Sequence, residues 1–142
     1  MCAKCVGDIM IKKVITVTPQ QTIGDVVLLM GDYGIRHLIV TDKDGQAVGL
    51  VSQRDVFKEL ARVFRHKERP SEVPVARFMT SELVYAHPDT PVHRASEMMA
   101  ARKIGCLPVI SKDGLVGIVT TVDLLRQVAP GNSSELQESA DV

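Results

Sequence analysis

The sequence predicts an α+β fold in which two β-α-β-β-α repeats pack sheet to sheet about a pseudo-twofold axis. The main observation is an internal duplication: residues 49–55 (GLVSQRD) recur as residues 117–123 (GIVTTVD). The surroundings recur as well, since residues 6–10 (VGDIM) correspond to residues 75–79 (VARFM) at an offset of 75 − 6 = 69. Repetition over most of the chain indicates two copies of one structural unit. Each unit has too small a sheet to be stable alone, so we expect the two copies to pack together.

Each copy of the motif reads glycine, two apolar residues, a hydroxyl residue, two variable positions and aspartate. The apolar pair is typical of a buried strand, and Ser52 or Thr120 would cap the helix that follows. Asp55 and Asp123 would then lie in the first helical turn, where the helix dipole favours a carboxylate. The motif therefore predicts, in both halves, a strand that runs directly into a helix.

In the first half, residues 1–65, a short N-terminal segment precedes strand, helix, two strands and helix. Thr22 followed by Asp25 is a capping-box pattern that starts a helix, and Gly34 ends it. An Asp-Lys-Asp-Gly turn at residues 42–45 joins two strands. The predicted elements are a strand at 14–17, a helix at 22–33, strands at 37–41 and 47–52, and a helix at 53–65.

The second half, residues 75–128, repeats that order. Prolines and charges predict a linker at residues 66–74, and the polar, acidic residues 129–142 predict a disordered tail. Thr90 is the expected N-cap of the first helix of this half, with Pro91 at its first helical position. The predicted elements are a turn near Met79, strands at 83–86, 106–110 and 116–120, and helices at 91–103 and 121–128.

Composition limits the classes of function. The 142-residue chain carries 17 basic and 17 acidic residues, which gives no support for the electrostatic footprint of a nucleic-acid-binding protein. No apolar run reaches the length of a membrane span, and the N-terminus lacks the apolar stretch of a signal peptide. We therefore expect a cytoplasmic protein that binds neither a membrane nor nucleic acid.

Three cysteines are too few for a disulfide framework. Cys2 and Cys5 form a Cys-x-x-Cys pair, but a structural zinc site needs four ligands and no second Cys or His pair stands at zinc spacing. We expect no metal site, and a zinc ion shared between two chains is the remaining alternative. A redox role is not favoured, because nothing around these two cysteines indicates a stabilised thiolate.

With these motifs the chain resembles a tandem pair of cystathionine-β-synthase-type (CBS) domains, the arrangement called a Bateman module. The resemblance covers residues 6–128 and rests on the paired Gly-h-h-Ser/Thr-x-x-Asp motifs, where h is apolar, and on the strand blocks 35–40 (IRHLIV) and 104–109 (IGCLPV). Ile39 replaces a proline that is usual in the family, whereas Pro108 keeps it. The resemblance implies a free-standing regulatory module that binds an adenosine-containing ligand, pairs into a homodimer and acts on an unknown protein partner.

The resemblance also implies two equivalent ligand clefts between the repeats. The motif aspartate would bind the ribose hydroxyls, because a carboxylate accepts hydrogen bonds from both, and amides at a helix N-terminus would favour a phosphate. The implied first cleft comprises Arg36, His37, Ser52, Arg54, Asp55, Leu83, Val84, Gly105 and Cys106. The implied second cleft comprises Val14, Ile15, Ile35, Thr120 and Asp123, with Arg36 or His37 as further candidates.

Charge favours the first cleft for a phosphorylated ligand. Arg36 and Arg54 supply two cations there, and His37 adds a third donor. The equivalent positions in the second cleft are Gly105, Cys106 and Val122, none of which is charged. On this basis we expect the second cleft to take a less charged ligand or to stay empty.

Simpler roles compete with this assignment. Asp55 and Asp123 also suit the first turn of a helix with no ligand present. Arg36 and Arg54 also suit a solvated surface or ion pairs with nearby acidic groups, and His37 also suits a hydrogen bond to a backbone carbonyl.

Functions of three classes are compared. The first is a sensor of AMP, ADP or ATP, with S-adenosylmethionine as the alternative ligand, which acts by shifting the angle between repeats or protomers. The second is a dimerisation or scaffold module whose clefts hold no ligand, which the apolar helix faces favour. An enzyme is not expected, because no nucleophile–base pair, Gly-rich phosphate loop or carboxylate pair stands out, and no cofactor is implied.

Overall fold

The two halves of the chain form similar sets of helices and strands in a computed structural model, which describes residues 4–129. Helices and strands alternate as the duplicated pattern predicts, so the α+β class is confirmed. The elements are α1 (Val6–Ile9), β1 (Thr16–Val17), α2 (Ile23–Tyr33), β2 (His37–Thr41), β3 (Ala47–Ser52), α3 (Gln53–Arg65), 3-10 turns at Pro70–Glu72 and Val75–Arg77, α4 (Val92–Arg102), β4 (Cys106–Ser111), β5 (Gly114–Thr120) and α5 (Thr121–Val128). Cys2 and residues 130–142 of the predicted tail lie outside the described residues.

The two sheets differ in one strand. The first has the order β1-β2-β3, with β1 parallel and β3 antiparallel to β2, whereas the second contains only the antiparallel pair β4-β5. The strand predicted at residues 83–86 is wrong, since Ala86 alone forms a parallel bridge, to Val109. The Ala86 amide donates to Pro108 and its carbonyl accepts from Ile110. The next parallel bond would need an N–H at Pro108, which has none, so the ladder ends there.

The first repeat keeps its first strand because a non-proline residue, Ile39, stands at that position and pairs with Thr16. This strand is nevertheless shorter than predicted, since only Thr16–Val17 pair with β2 and residues 14–15 lie before the ladder. The substitution of Ile39 for the proline usual in the family therefore has a direct structural consequence.

The start of the next helix also needs correction. The helix predicted from Pro91 begins at Val92, with Pro91 rather than Thr90 at the N-cap. The Thr90 hydroxyl instead accepts a hydrogen bond from the His87 amide, at 2.9 Å, and closes the preceding turn. The predicted linker also contains ordered structure, because Val73 is buried against the first repeat and its carbonyl accepts from Ile23 at 2.9 Å.

Each repeat is completed by a segment that belongs to the other half of the sequence. We call residues 4–11 the first leading segment and residues 73–80 the second leading segment. Each donates backbone hydrogen bonds to the turn before the first helix of the opposite repeat. The equivalent bonds are Val6 to Thr90 (2.8 Å) and Val75 to Gln21 (2.7 Å), and Gly7 to Pro88 (2.8 Å) and Ala76 to Pro19 (3.0 Å).

The leading segments also pair with the sheets of the opposite repeats. Ile11 pairs with Ile118 of β5 through bonds of 2.8 and 3.0 Å, and Thr80 pairs with Leu50 of β3 through two bonds of 2.9 Å. These equivalent contacts relate the halves by a pseudo-twofold axis, as the fold prediction states.

Each hydrophobic core likewise contains residues of the leading segment from the other half of the sequence. Val73 and Val75 of the second leading segment belong to the core of the first repeat, and Val6 belongs to the core of the second. A third cluster of Ile39 and Cys106, with Ile118, joins the two sheets. A division of the chain at the linker therefore cuts through both cores. None of the helices within residues 4–129 combines the length and the apolar character that crossing a membrane requires.

Close packing of the leading segments explains the glycine that opens each motif. A Cβ atom at Gly117 would lie 2.6 Å from the Sδ atom of Met10, and one at Gly49 would lie 2.7 Å from the Sδ atom of Met79. Real Cβ contacts are not that short, so a side chain at either position would displace the methionine. The motif glycine is therefore required by the contact between the halves.

Candidate functional site

The hydroxyl and aspartate of each motif form the cap of the following helix. Oδ2 of Asp55 accepts hydrogen bonds from the amide and the hydroxyl of Ser52, both at 2.9 Å. Oδ2 of Asp123 accepts equivalent bonds from Thr120, at 2.8 and 3.0 Å. The simpler structural role is thus real for both aspartates. The cap uses one carboxylate oxygen of each aspartate, and the other oxygen can still accept hydrogen bonds.

A third capping box shows what this geometry looks like away from a motif. The amide of Thr22 donates to Oδ2 of Asp25 at 2.8 Å and the hydroxyl of Thr22 donates at 3.2 Å. Asp25 lies in the first turn of α2, and its partner Thr22 does not line the cavity described next, whereas Thr120 does. Capping alone therefore does not mark a ligand site, and Asp25 serves as an internal reference for Asp55 and Asp123.

A cavity of about 650 Å³ lies between the repeats at the implied second cleft. One wall comes from the end of the first leading segment and from residues 13–15 and 34–37 of the first repeat, and the opposite wall comes from Gly105, β5 and the start of α5. Small-molecule sites commonly have volumes of about 300–1,000 Å³. The lining residues are Ile11, Lys13, Val14, Ile15, Gly34, Ile35, Arg36, His37, Gly105, Ile118, Thr120, Thr121 and Val122.

The cavity gathers residues that the sequence assigned to both clefts. Four members of the implied second cleft line it: Val14, Ile15, Ile35 and Thr120. Asp123 is buried next to it, bonded to Thr120. Three members of the implied first cleft line it as well, namely Arg36, His37 and Gly105. The remaining first-cleft residues, Ser52, Arg54, Asp55, Leu83, Val84 and Cys106, are not part of its lining.

Several lining residues were not singled out by the sequence. Ile11 and Lys13 come from the end of the first leading segment, and Thr121 with Val122 begins α5. The offset of the repeats contains the signal that identifies Lys13, because position 13 corresponds to Glu82 in the second half (82 − 13 = 69). A comparison of the repeats outside the motif would have shown this reversal of charge.

The cavity at the second cleft has basic lining residues, and the ranking of the two clefts by charge stays a prediction. Lys13 and Arg36 are lining cations of the cavity, and its lining contains no Asp or Glu. At the equivalent position of the first cleft stands the acidic Glu82. Arg36 and His37, two of the three basic residues that favoured the first cleft, line this cavity at the second cleft.

His37 lies between the two motifs. It pairs across the sheet with Ser52, and a Cβ atom at Gly105 would lie 3.2 Å from its Nε2 atom, so Gly105 allows the imidazole to approach the second repeat. Burial lowers the pKa of His37; the negative charge of Asp55 raises it, and the charge of Arg36 lowers it further. The imidazole is therefore held neutral near the cations of the cavity.

The chemistry of Cys106 is that of a core residue. Burial raises the pKa of its thiol to about 12, and the negative charge of Asp123 adds to that effect. The thiol is consequently protonated at neutral pH and is a poor nucleophile. Within residues 4–129 no group of His, Cys, Asp and Glu side chains is arranged to hold a metal ion.

Comparison with known proteins places this geometry in a family. The CBS domain model matches residues 6–62 and again residues 75–130. The CBS domain-containing protein YhcV of Bacillus subtilis is 33% identical over 119 residues, which cover 84% of this chain and 81% of YhcV. Homoserine O-acetyltransferase of Methanohalobium evestigatum is 34% identical over 124 residues, but the match spans 87% of this chain and only 24% of that enzyme.

Some solved structures with the same fold contain adenosine derivatives. The CBS domain pair of protein MJ0100, in complex with 5′-methylthioadenosine and S-adenosyl-L-methionine, superposes with a TM-score of 0.78 at 28% identity and covers 88% of this chain and 95% of its own. CBSX2 in complex with AMP superposes with a TM-score of 0.73 at 26% identity and covers 96% of this chain and 99% of its own. The chain belongs to the CBS domain family and carries two CBS domains in tandem.

Proposed function

We propose that the chain is a regulatory module that binds an adenine nucleotide in the second cleft. The cavity between the repeats, with Lys13 and Arg36 at its edge and Thr120 at the start of α5, is the observation that carries this proposal. The complexes of CBSX2 with AMP and of MJ0100 with methylthioadenosine and S-adenosylmethionine support an adenosine-containing ligand. A cytoplasmic location is part of the proposal.

Each part of the ligand has a matching surface. The apolar side chains of Val14, Ile15 and Ile118 suit an adenine ring, which is held mainly by shape. The oxygen of Asp123 that is not used in the cap would accept hydrogen bonds from the ribose hydroxyls. The phosphates would lie near Lys13, with the first turn of α5 adding the partial positive charge of a helix N-terminus.

The same charges favour a phosphorylated nucleotide over S-adenosylmethionine. The sulfonium group of that ligand is cationic, and the lining cations Lys13 and Arg36, which outnumber the neighbouring carboxylate of Asp123, would repel it. AMP, ADP and ATP carry the opposite charge. Ser52, Arg54, Asp55, Leu83 and Val84 remain the predicted members of a first cleft, where Glu82 would oppose phosphate and favour a less charged ligand.

Isothermal titration calorimetry of the ligand-stripped protein tests the proposal. We expect AMP, ADP or ATP to bind with a micromolar dissociation constant, S-adenosylmethionine to bind more weakly, and GTP to serve as the control for base recognition. An absence of heat with every ligand, together with an unchanged melting temperature, would contradict it.

A matched pair of variants separates ligand binding from helix capping. Asp123→Asn and Asp25→Asn weaken capping boxes of the same geometry, so both should lower the melting temperature to a similar extent. Only Asp123→Asn should weaken nucleotide binding, because only Asp123 lies beside the cavity. Equal affinities of the two variants would remove Asp123 from the site.

The second candidate function is a homodimeric scaffold. Large apolar side chains on the helices are exposed, including Phe57 (66%) and Phe64 (76%) of α3 and Leu125 (57%) and Val128 (78%) of α5. A self-associating face would bury such residues. Sedimentation of the wild type and of Phe64→Glu would show a dimer that the substitution dissociates, and a monomeric wild type would reject the proposal. The dimer would then act on the regulated protein partner.

A further inference from the structure

We propose that a ligand in the second cleft holds the first leading segment against the second repeat, so that this segment is the element whose order reports ligand binding. The inference rests on the proposed function. It arises from an asymmetry between the two leading segments, which make the same backbone contacts but are secured by different side chains.

The first leading segment forms part of the wall of the cavity. Ile11, its last residue, lines the cavity and exchanges two backbone hydrogen bonds with Ile118, which lines it too. Lys13 follows two residues later and lines the same space. A ligand that contacts these residues therefore contacts the junction between the segment and the second repeat.

The second leading segment is secured without any ligand. The Nε atom of Arg77 donates to Oε2 of Glu59 at 2.7 Å, and its two terminal nitrogens donate to the carboxylate of Glu68, each at 2.7 Å. Glu59 is only 3% exposed, and the two carboxylates raise the pKa of Arg77 above its ordinary value. The network ties this segment to α3 of the first repeat.

The first leading segment has no equivalent network in the described part of the chain. Asp8 occupies the position of Arg77, and its carboxylate accepts from the Cys5 amide of its own segment at 2.8 Å. Gln127, which is neutral, occupies the position of Glu59, and its amide oxygen accepts an exposed 3.2 Å bond from Lys4. The contact between this segment and the second repeat thus lacks the buried ion pair that holds the other segment.

A bound nucleotide would supply the missing restraint. Its phosphates would neutralise Lys13 and its adenine ring would fill the space beside Ile118, which favours the closed position of the segment over open ones. The second leading segment is already held by Arg77, so a ligand should add little to its order. Ligand binding should therefore order one leading segment selectively, which is the differential interaction that any ligand-driven change requires.

Residue-resolved amide hydrogen exchange tests this directly, because equivalent amides in the two segments provide an internal control. With saturating ATP, we expect the exchange of Val6, Gly7 and Ile11 to slow by about tenfold or more. The equivalent amides of Val75, Ala76 and Thr80 should change far less. Equal slowing in both sets, or no slowing of the first set, would overturn the inference.

Two controls keep the outcomes distinct. Calorimetry on the same sample shows whether ATP binds: absence of binding counts against the proposed function, whereas binding without selective protection counts against the inference alone. Glu68→Gln, which leaves the buried Glu59 paired, should speed exchange at Val75 and Ala76 with and without ATP. Because no residue of the second leading segment lines the cavity, ATP should not slow those two amides in this variant, and slowing as strong as at Val6 would overturn the inference. If Glu68→Gln leaves their exchange unchanged, the network does not secure the segment and the inference is wrong.

Discussion

Substitution of Gly117 by alanine tests the close contact between the first leading segment and the second repeat. The added Cβ atom would lie 2.6 Å from Sδ and 2.9 Å from Cγ of Met10, and 3.0 Å from the carbonyl oxygen of Ile11. The methionine side chain can move, but the carbonyl is held by its bond to Ile118. We therefore expect overpacking to lower the free energy of unfolding by about 1–2 kcal/mol.

Thermal unfolding followed by circular dichroism measures this effect. For a domain of this size the expected loss corresponds to a fall in melting temperature of about 3–10 °C. Gly31→Ala is the matched control, because Gly31 lies in α2 with no atom within 4 Å of its added Cβ. That change should stabilise the protein, since alanine is the better helix former.

A double-mutant cycle identifies the cause. In a Met10→Ala background the side-chain part of the clash is gone, so Gly117→Ala should cost less, by about 1 kcal/mol, than it does in the wild type. An unchanged melting temperature for Gly117→Ala would refute the reasoning. So would a cost that is the same with and without Met10.

Four further predictions follow from the site and its surroundings. The pKa of His37 is lower in the folded protein than its ordinary 6.5, so the unfolded chain binds more protons. The free energy of unfolding therefore falls as the pH drops through 6.5 towards the folded pKa. Denaturant titrations should show this fall in the wild type and not in His37→Gln. A phosphate near His37 would raise its pKa, so nucleotide binding near pH 6 should take up protons, which calorimetry in buffers of different ionisation enthalpy detects. Lys103 ends α4 with a left-handed backbone (φ 55°), as Gly34 (φ 63°) does at the equivalent end of α2. Glycine adopts this conformation without the strain of a side chain, so Lys103→Gly should raise the free energy of unfolding, measured by chemical denaturation, by about 0.5–1 kcal/mol. Lys13→Glu should weaken ATP binding by about tenfold or more. Glu82→Lys changes the charge at the equivalent position of the second half and should not weaken ATP binding.

The fold could be predicted because its signals are local and duplicated. The motif glycine, the capping pairs and the Asp-Gly turns each determine a few residues of backbone, and the constant offset repeats them. The strand at residues 83–86 was wrong because a strand requires a partner with a free N–H, and Pro108 lies far away in the sequence. The exchange of leading segments was also missed, since nothing in residues 6–10 alone indicates which repeat they pack against.

The sequence named some of the residues that line the cavity, and their role in ligand binding stays a prediction. The motif residues Thr120 and Asp123 could be named because their chemistry lies within one turn of helix. The positions of Arg36 and His37 could not be assigned to one cleft, because they lie where the two repeats meet and the packing of the sheets decides which space they line. Lys13 was missed because it stands outside the motif.

The most direct test of the account is the mapping of ATP-induced chemical-shift changes on the amide spectrum of the ligand-stripped protein. Large changes are expected for residues around the second cleft, and small ones around the first-cleft motif. The largest changes are expected at the amides of Lys13, Val14, Ile15, Gly34, Ile35, Arg36, His37, Gly105, Thr120, Thr121, Val122 and Asp123. Changes confined to Ser52, Arg54, Asp55, Leu83 and Val84, or no changes at all, would contradict it.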